Sequence, residues 1–174
     1  MIRLILGGAR SGKSRYAEQR AAATGRPVTV IATAEAGDAE MAARITRHRL
    51  ERPGHWRTVE EPLALASALA GQTDTGQCLL IDCLTLWLNN LLAAGDAVFQ
   101  MEREALLERL PGLPGEIILV ANEVGLGVVP MGELSRRFVD EAGRLNQEIA
   151  QLADEVVLMA AGLPLILKGN HDGG

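Results

Sequence analysis

The stretch "GGARSGKS", residues 7–14, decides the fold of this 174-residue chain. It satisfies the pattern G-x-x-x-x-G-K-[ST], in which the fixed positions are held by Gly7, Gly12, Lys13 and Ser14. A short apolar run, Ile2–Leu6, precedes the stretch, and a helical pattern over residues 13–24 follows it. A chance glycine turn satisfies the same pattern, but a strand before it and a helix after it favour a phosphate-binding loop.

The residue types in this loop suit a nucleoside triphosphate. Backbone N–H groups of the loop and of the helix start can surround the phosphates, and the helix dipole favours their negative charge. Lys13 is expected to reach the β- and γ-phosphates, and the Ser14 hydroxyl to ligate Mg²⁺. The residues predicted to bind the nucleotide here are Gly7, Gly8, Ala9, Arg10, Ser11, Gly12, Lys13 and Ser14.

Strand and helix patterns alternate along the rest of the chain. The predicted strands are Ile2–Leu6, Pro27–Thr33, Trp56–Glu60, Cys78–Asp82, 117–121, 156–160 and 164–168. The predicted helices are 13–24, Asp38 to Leu50, one with Pro62 in its first turn, 84–93, 97–110 and 134–153, with a loop at 111–115. This alternation predicts one α/β domain over residues 1–174, of the P-loop NTPase type (RecA-like). Its mainly parallel sheet carries helices on both faces and a short antiparallel C-terminal strand.

Composition excludes several classes of protein. The chain is 48% hydrophobic with two Trp, two Phe and one Tyr, so aliphatic residues must fill the core. A net charge of −5 argues against a nucleic-acid partner bound through bulk positive charge. No apolar run reaches the roughly 18–20 residues that span a membrane. Cys78 and Cys83 form no CxxC pair and no signal-peptide pattern is present, so we expect a reduced, cytoplasmic protein.

Asp82 ends the apolar run "CLLID", a predicted buried strand. A carboxylate at that position fits the second Mg²⁺-organising element of a P-loop enzyme. The alternative is a cap for the helix that begins near Thr85. A guanine-reading N-K-x-D is absent, and the "DEAG" at 140–143 falls inside a predicted helix, which argues against a regulatory GTP switch. A phosphotransferase acting on a small molecule is therefore favoured.

One histidine stands among four arginines in "RITRHRLERP", residues 44–53. Arg44, His48 and Arg52 are spaced i, i+4, i+8 and so form one stripe on a helix. The guanidinium groups disfavour a further positive charge, which is expected to lower the pKa of the imidazole and keep it neutral, and they also suit phosphate oxygens. A neutral imidazole there can accept a phosphate covalently. The alternative is a solvated helix face on which His48 has no role.

Five segments together carry a more specific resemblance. They are "GGARSGKS", "DAEMAARI" with His48 after it, "RPGHW" at 52–56, "NEVGLGVVP" at 122–130 and "GRLNQ" at 143–147. From about Ile2 to Lys168 the chain resembles the bifunctional adenosylcobinamide kinase / adenosylcobinamide-phosphate guanylyltransferase family of cobalamin biosynthesis. The resemblance implies phosphorylation of adenosylcobinamide with ATP or GTP. Transfer of GMP from GTP would follow, giving adenosylcobinamide-GDP and pyrophosphate. His48 matches the family's guanylylated histidine in the pattern R-I-x-x-H-x-x-x-R-P.

The resemblance also implies further contacts and partners. The nucleotide contacts that it adds to the loop are Thr33, Ala34, Glu35, Arg52, Pro53, Gly54, His55, Glu60 and Asp82. It implies a corrinoid, GTP and ATP as bound substrates and a homo-oligomer, expected to be a trimer. The position of "NEVG" after the fourth core strand, at the ligand edge of the sheet, predicts that Asn122 or Glu123 faces the corrinoid or the Mg²⁺; His171 is assigned no role. Two alternatives stay open: a P-loop kinase of another metabolite with His48 structural, and a non-catalytic nucleotide-binding regulator.

Overall fold

The computed structural model describes residues 1–35, 37, 39, 43, 46, 50 and 52–169. The strands in these residues are β1 (Ile2–Gly7), β2 (Val28–Ala32), β3 (Arg57–Glu60), β4 (Cys78–Asp82), β5 (Glu116–Asn122), β6 (Glu155–Ala160) and β7 (Leu163–Lys168). The helices are α1 (Lys13–Ala23), α2 (Leu65–Gln72), α3 (Leu84–Ala94), α4 (Asp96–Arg109) and α5 (Glu133–Leu152), with a 3-10 turn at Leu110–Gly112.

The strands form one sheet in the order β3-β2-β4-β5-β1-β6-β7. Every neighbouring pair is parallel except β6 with β7, which is antiparallel. Parallel neighbours need long crossover connections, and helices supply most of them. The predicted α/β fold of P-loop NTPase type is therefore confirmed, including the short antiparallel C-terminal strand.

Helices cover both faces of this sheet because the strands are apolar on both sides. On one face, α1 lays Ala17 and Ala21 against Ile5, Val30 and Leu80. On the other face, α2, α3, α4 and α5 pack over the alternate strand residues, with Trp87 of α3 fully buried among them. Residues two apart on a strand thus belong to the same face, which fixes the side on which each strand-end residue lies.

Most predicted bounds agree with the structure to within two residues. The helix expected to include Pro62 in its first turn begins instead at Leu65, so that prediction was wrong. The reason is local: the Glu61 carboxylate accepts the N–H groups of Leu63 and Ala64, at 3.0 and 2.7 Å, before the helix starts.

The helix predicted from Asp38 to Leu50 is described only in part. Ala39, Ala43, Thr46 and Leu50 are helical, and the other residues of that segment lie outside the described residues.

Cys78 and Cys83 are both buried and free of any disulfide. Among the described residues, no helix combines the length and the apolar character that a membrane crossing requires.

Candidate active site

The phosphate loop lies between the end of β1 at Gly7 and the start of α1 at Lys13. Gly12 has a φ of 94°, a conformation that glycine adopts without a steric penalty. Lys13 is buried, and its ammonium group donates to the Gly8 carbonyl at 3.3 Å. The Ser11 hydroxyl is buried and has no hydrogen-bond partner among the residues that the structure describes. A buried ammonium, an unpaired hydroxyl and a helix N-terminus together suit a bound phosphate.

Neighbouring elements hold this loop in place. The Glu123 N–H donates to the Gly7 carbonyl and the Gly162 N–H donates to the Ser11 carbonyl, both at 3.0 Å. Gly162 belongs to the tight turn between β6 and β7, and its Cα lies 3.3 Å from where a Cβ on Gly12 would be. Sequence reasoning missed this support, although it predicted a short antiparallel C-terminal strand, which requires a turn at this place.

Asp82, at the end of β4, is paired with Arg52. One guanidinium nitrogen of Arg52 lies 2.5 Å from the Asp82 carboxylate, and its Nε lies 3.3 Å from the Glu18 carboxylate. The Arg52 side chain is only 6% exposed, so this charge is held inside the site. Helix α3 has Cys83 at its N-cap and no side-chain cap hydrogen bond, so the helix-cap alternative for Asp82 is wrong. The predicted role of Asp82 as a Mg²⁺ ligand stays a prediction.

Glu18 is a residue of this cluster that sequence reasoning missed. It lies on α1 one helical turn after Ser14, on a helix whose start was already predicted to bind phosphate. The Arg52 guanidinium therefore joins α1 to β4 through two carboxylates. The cluster of Glu18, Arg52 and Asp82 contains two carboxylates and one guanidinium, so its formal net charge before any ligand binds is negative by one.

Thr33, a predicted nucleotide contact, is fully buried just beyond β2. Its hydroxyl donates to the Cys83 carbonyl at 2.7 Å and accepts the Cys83 N–H at 2.9 Å. The side chain of Asn90 on α3, missed by sequence reasoning, donates to the Thr33 carbonyl at 2.8 Å. These bonds tie the ends of β2 and β4 together, so Thr33 shapes the floor of the site, and Ala34 and Glu35 continue from it toward solvent.

The remaining predicted nucleotide contacts lie further along the carboxyl edge of the sheet. Pro53, Gly54 and His55 are exposed in a turn closed by the Trp56 N–H donating to the Pro53 carbonyl. Glu60 is exposed at the end of β3. Four strand spacings separate β3 from β1, about 19 Å in total. The structure thus places Asp82 and Arg52 near the phosphate loop and Glu60 well away from it.

At the end of β5, between the phosphate loop and Asp82, lies Asn122. Its N–H donates to the Thr85 hydroxyl at 2.6 Å, and its carbonyl accepts a weak bond from Asn146 at 3.5 Å. The Glu123 carboxylate instead accepts the Gly125 N–H at 2.6 Å. Thr85 and Asn146 were missed; each is a polar residue on the otherwise apolar buried side of its helix, and that departure is the available signal.

His48, the predicted nucleophile, lies outside the described residues, as do Arg44, Arg47 and Arg49. His171, to which no role was assigned, also lies outside them. Of the basic stripe predicted on that helix, the structure describes Arg52. The prediction that His48 accepts the nucleotide therefore stays a prediction.

Comparisons with known proteins match nearly the whole chain to one family. The family model described as cobinamide kinase / cobinamide phosphate guanyltransferase matches residues 3–167. A bifunctional adenosylcobalamin biosynthesis protein of Pseudomonas aeruginosa is 64% identical over 167 residues, covering 95% of this chain and 96% of that protein. A bifunctional adenosylcobalamin biosynthesis protein of Escherichia coli K12 is 38% identical, covering 97% of this chain and all of that protein.

Among solved structures, one from Pyrococcus horikoshii resembles this chain in fold. The TM-score is 0.55 with 8% sequence identity, and the match covers 98% of this chain and 87% of that one. At such low identity the likeness concerns the arrangement of strands and helices alone.

Proposed function

Because the chain belongs to the cobinamide kinase / cobinamide phosphate guanyltransferase family, we propose that it catalyses two successive reactions on a corrinoid. In the first, the free hydroxyl of adenosylcobinamide attacks the γ-phosphorus of ATP or GTP. The bond from that phosphorus to the β–γ bridging oxygen breaks, and the nucleoside diphosphate leaves. In the second, GMP passes from GTP to the new phosphate, giving adenosylcobinamide-GDP and pyrophosphate.

The observation that carries the nucleotide part of this proposal is the phosphate loop with its buried Lys13 and with a Ser11 hydroxyl that has no partner in the described part of the chain. The nucleotide would place its phosphates on this loop and extend along the carboxyl edge of the sheet. The ribose and base would then lie beside the other predicted contacts, which are Thr33–Glu35, Pro53–His55 and Glu60. A span of about 19 Å from β1 to β3 leaves room for an extended triphosphate nucleotide.

The residues of the site also fit Mg²⁺. Ser14 lies in the first turn of α1 and Asp82 ends β4, and hydroxyl and carboxylate oxygens are ligands that this hard cation prefers. When bound, Mg²⁺ would offset negative charge on the phosphates. The Arg52 guanidinium lies 2.5 Å from the Asp82 carboxylate and forms an ion pair with the group that Mg²⁺ would use as a ligand. Arg52 would therefore turn from Asp82 toward the phosphates when the charged substrate arrives, consistent with its predicted nucleotide contact.

For the second reaction we propose a covalent intermediate on His48. A ring nitrogen attacks the α-phosphorus of GTP, an N–P bond forms, and pyrophosphate leaves. An oxygen of the corrinoid phosphate then attacks the same phosphorus, and the N–P bond breaks to release His48. The support is the match of His48 to the R-I-x-x-H-x-x-x-R-P pattern and the clustering of arginines around it.

The direct test mixes the protein with adenosylcobinamide, GTP and Mg²⁺ and follows the corrinoid by mass spectrometry. Two products are expected in order, the phosphate and then the GDP derivative, with pyrophosphate released in the second step. Lys13→Ala should slow phosphorylation by about 10²–10³-fold, because it removes a charge aimed at the transferring phosphoryl group. An unchanged corrinoid mass with the wild-type protein would refute the proposed function. Phosphate without GDP would indicate a kinase alone.

We also propose that the chain assembles into a homo-oligomer, with a trimer expected. The support is the edge strand β7, on which Leu163, Leu165 and Leu167 share one face and are 55–70% exposed. Exposed apolar side chains on an edge strand favour burial against a partner. Light scattering should give three times the chain mass, and a monomer would contradict this. A cytoplasmic location stays a prediction.

A further inference from the structure

Asn122 is half-buried, and its side-chain oxygen is the buried part of the carboxamide. Its Oδ1 is shielded from solvent and makes no hydrogen bond within the described part of the chain. Buried polar atoms in folded proteins nearly always have a partner, so an exception at a sheet edge calls for an explanation. The backbone of the same residue is held firmly, with its N–H on the Thr85 hydroxyl at 2.6 Å. The backbone of Asn122 is therefore held in place, while its Oδ1 has no structural partner among the described residues.

The topology places this carboxamide between the two halves of the phosphate site. Strand β5 lies between β1 and β4, with Asn122 directly opposite Gly7 and Val120 opposite Asp82. From strand geometry, the Asn122 Cα lies about 5 Å from that of Gly7 and about 8 Å from that of Asp82.

Strand alternation gives the side of the sheet on which the carboxamide lies. Val120 on β5, Ile5 on β1 and Leu80 on β4 all pack on the face covered by α1. Residues two further along each strand are Asn122, Gly7 and Asp82, so these three share that face. Helix α1 begins there with Lys13 and Ser14. The Asn122 side chain thus faces the same space as the groups predicted to hold the γ-phosphate and Mg²⁺.

Two other polar side chains near this edge, those of Asn90 and Glu123, already have structural partners. Asn90 donates to the carbonyls of Thr33 and Pro62, and Glu123 accepts the Gly125 N–H. A carboxamide offers both a donor and an acceptor without adding charge beside a triphosphate. Its donor suits a phosphoryl oxygen, and its acceptor suits an incoming hydroxyl.

We propose that Asn122 is a catalytic residue of the phosphorylation step. Its Nδ2 donates to an oxygen of the γ-phosphoryl group. Its Oδ1, shielded from solvent without substrate, turns outward with the carboxamide when substrate binds and accepts a hydrogen bond from the corrinoid hydroxyl that attacks the γ-phosphorus. As the new O–P bond forms and the bond to the β–γ bridging oxygen breaks, the hydroxyl proton passes to the product phosphate. The carboxamide is too weakly basic to keep that proton, so it aligns the hydroxyl and does not deprotonate it. This proposal rests on the kinase half of the proposed function.

The two half-reactions separate a catalytic role from a structural one. Transfer of GMP to His48 changes bonds at the α-phosphorus, whereas Asn122 acts at the γ-phosphorus. Asn122→Ala should lower kcat for phosphorylation by about 10²–10³-fold, the loss typical of one positioned donor. The KM for the nucleotide and the labelling of the protein by α-labelled GTP should change by less than about threefold.

Two further variants complete the test. Asn122→Asp keeps the shape but brings a negative charge toward the γ-phosphate, so it should be at least as impaired as the Ala variant. Asn89→Ala, at an exposed position on α3, is the matched control and should match the wild type. Because the Asn122 Oδ1 makes no hydrogen bond within the described chain, the melting temperature of Asn122→Ala should also match the wild type.

The outcomes distinguish this proposal from the one on which it rests. Equal losses of phosphorylation and labelling, or a lowered melting temperature accounting for the loss, would show a structural role. Normal phosphorylation by both Asn122 variants would refute the proposal while leaving the kinase activity intact. A wild-type protein that fails to phosphorylate the corrinoid would overturn the proposed function and this assignment together.

Discussion

Replacing Gly7 with alanine should destabilise the protein, whereas the same change at Gly8 should not. A Cβ on Gly7 would lie 2.4 Å from the Ser11 hydroxyl oxygen and 2.9 Å from the Met159 carbonyl oxygen. The hydroxyl can rotate away, but the carbonyl cannot, because Met159 on β6 is directly paired with Gly7 on β1. Overpacking of this kind costs about 1–3 kcal/mol.

The Gly8 variant is a matched control from the same loop. A Cβ on Gly8 would meet nothing within 4 Å. Restricting the unfolded chain should then leave Gly8→Ala neutral or more stable by up to about 1 kcal/mol.

Urea denaturation without nucleotide measures both variants. With an m value of about 2 kcal/mol per M, a loss of about 2 kcal/mol lowers the Gly7→Ala midpoint by about 1 M. Equal midpoints for Gly7→Ala and Gly8→Ala would refute the close packing of the loop against β6.

Three other predictions follow from the site. Thr33→Val keeps the shape but leaves the buried Cys83 N–H unpaired, so the free energy of unfolding should fall by about 1–3 kcal/mol, and an unchanged value would contradict the hydrogen bond. Asp82→Asn should raise the Mg²⁺ concentration that gives half-maximal phosphorylation, and an unaltered Mg²⁺ dependence would remove Asp82 from the metal site. Burial raises the pKa of the Cys78 thiol to about 11 and also raises that of Cys83. Because a raised pKa leaves little thiolate at pH 8, iodoacetamide should modify neither cysteine in the native protein and both in urea; rapid native modification would contradict their burial.

The fold was predictable because its signals are local and agree with one another. The apolar strands Ile2–Gly7 and Cys78–Asp82 and the helix that follows the glycine loop are each visible in a few residues. What the sequence did not indicate is strand order, because parallel pairings such as β1 with β5 join residues more than 100 positions apart. The start of α2 was mistaken since the Glu61 carboxylate replaces the turn that Pro62 was expected to begin.

Within the site, the sequence indicated the residues that belong to a recognisable motif. It did not indicate the residues whose role depends on contact with a residue far away along the chain. Lys13 and Asp82 belong to motifs, so both were predicted and both lie on the α1 face of the sheet. Glu18 and Asn90 act by reaching Arg52 and the Thr33 carbonyl, residues 34 and 57 positions away. No local sequence pattern indicates contacts between residues so far apart in the chain, and the Arg52–Asp82 ion pair is a contact of the same kind.

The most direct test of the central claim is to find the residue that carries GMP. The protein is incubated with GTP labelled at the α-phosphate and Mg²⁺, and the labelled peptide is identified among the three histidines of the chain. The account predicts label on His48, through a bond stable in mild base and broken in mild acid. It also predicts no label in His48→Ala and normal labelling in His171→Ala. Label on another residue, or label in His48→Ala, would contradict the account.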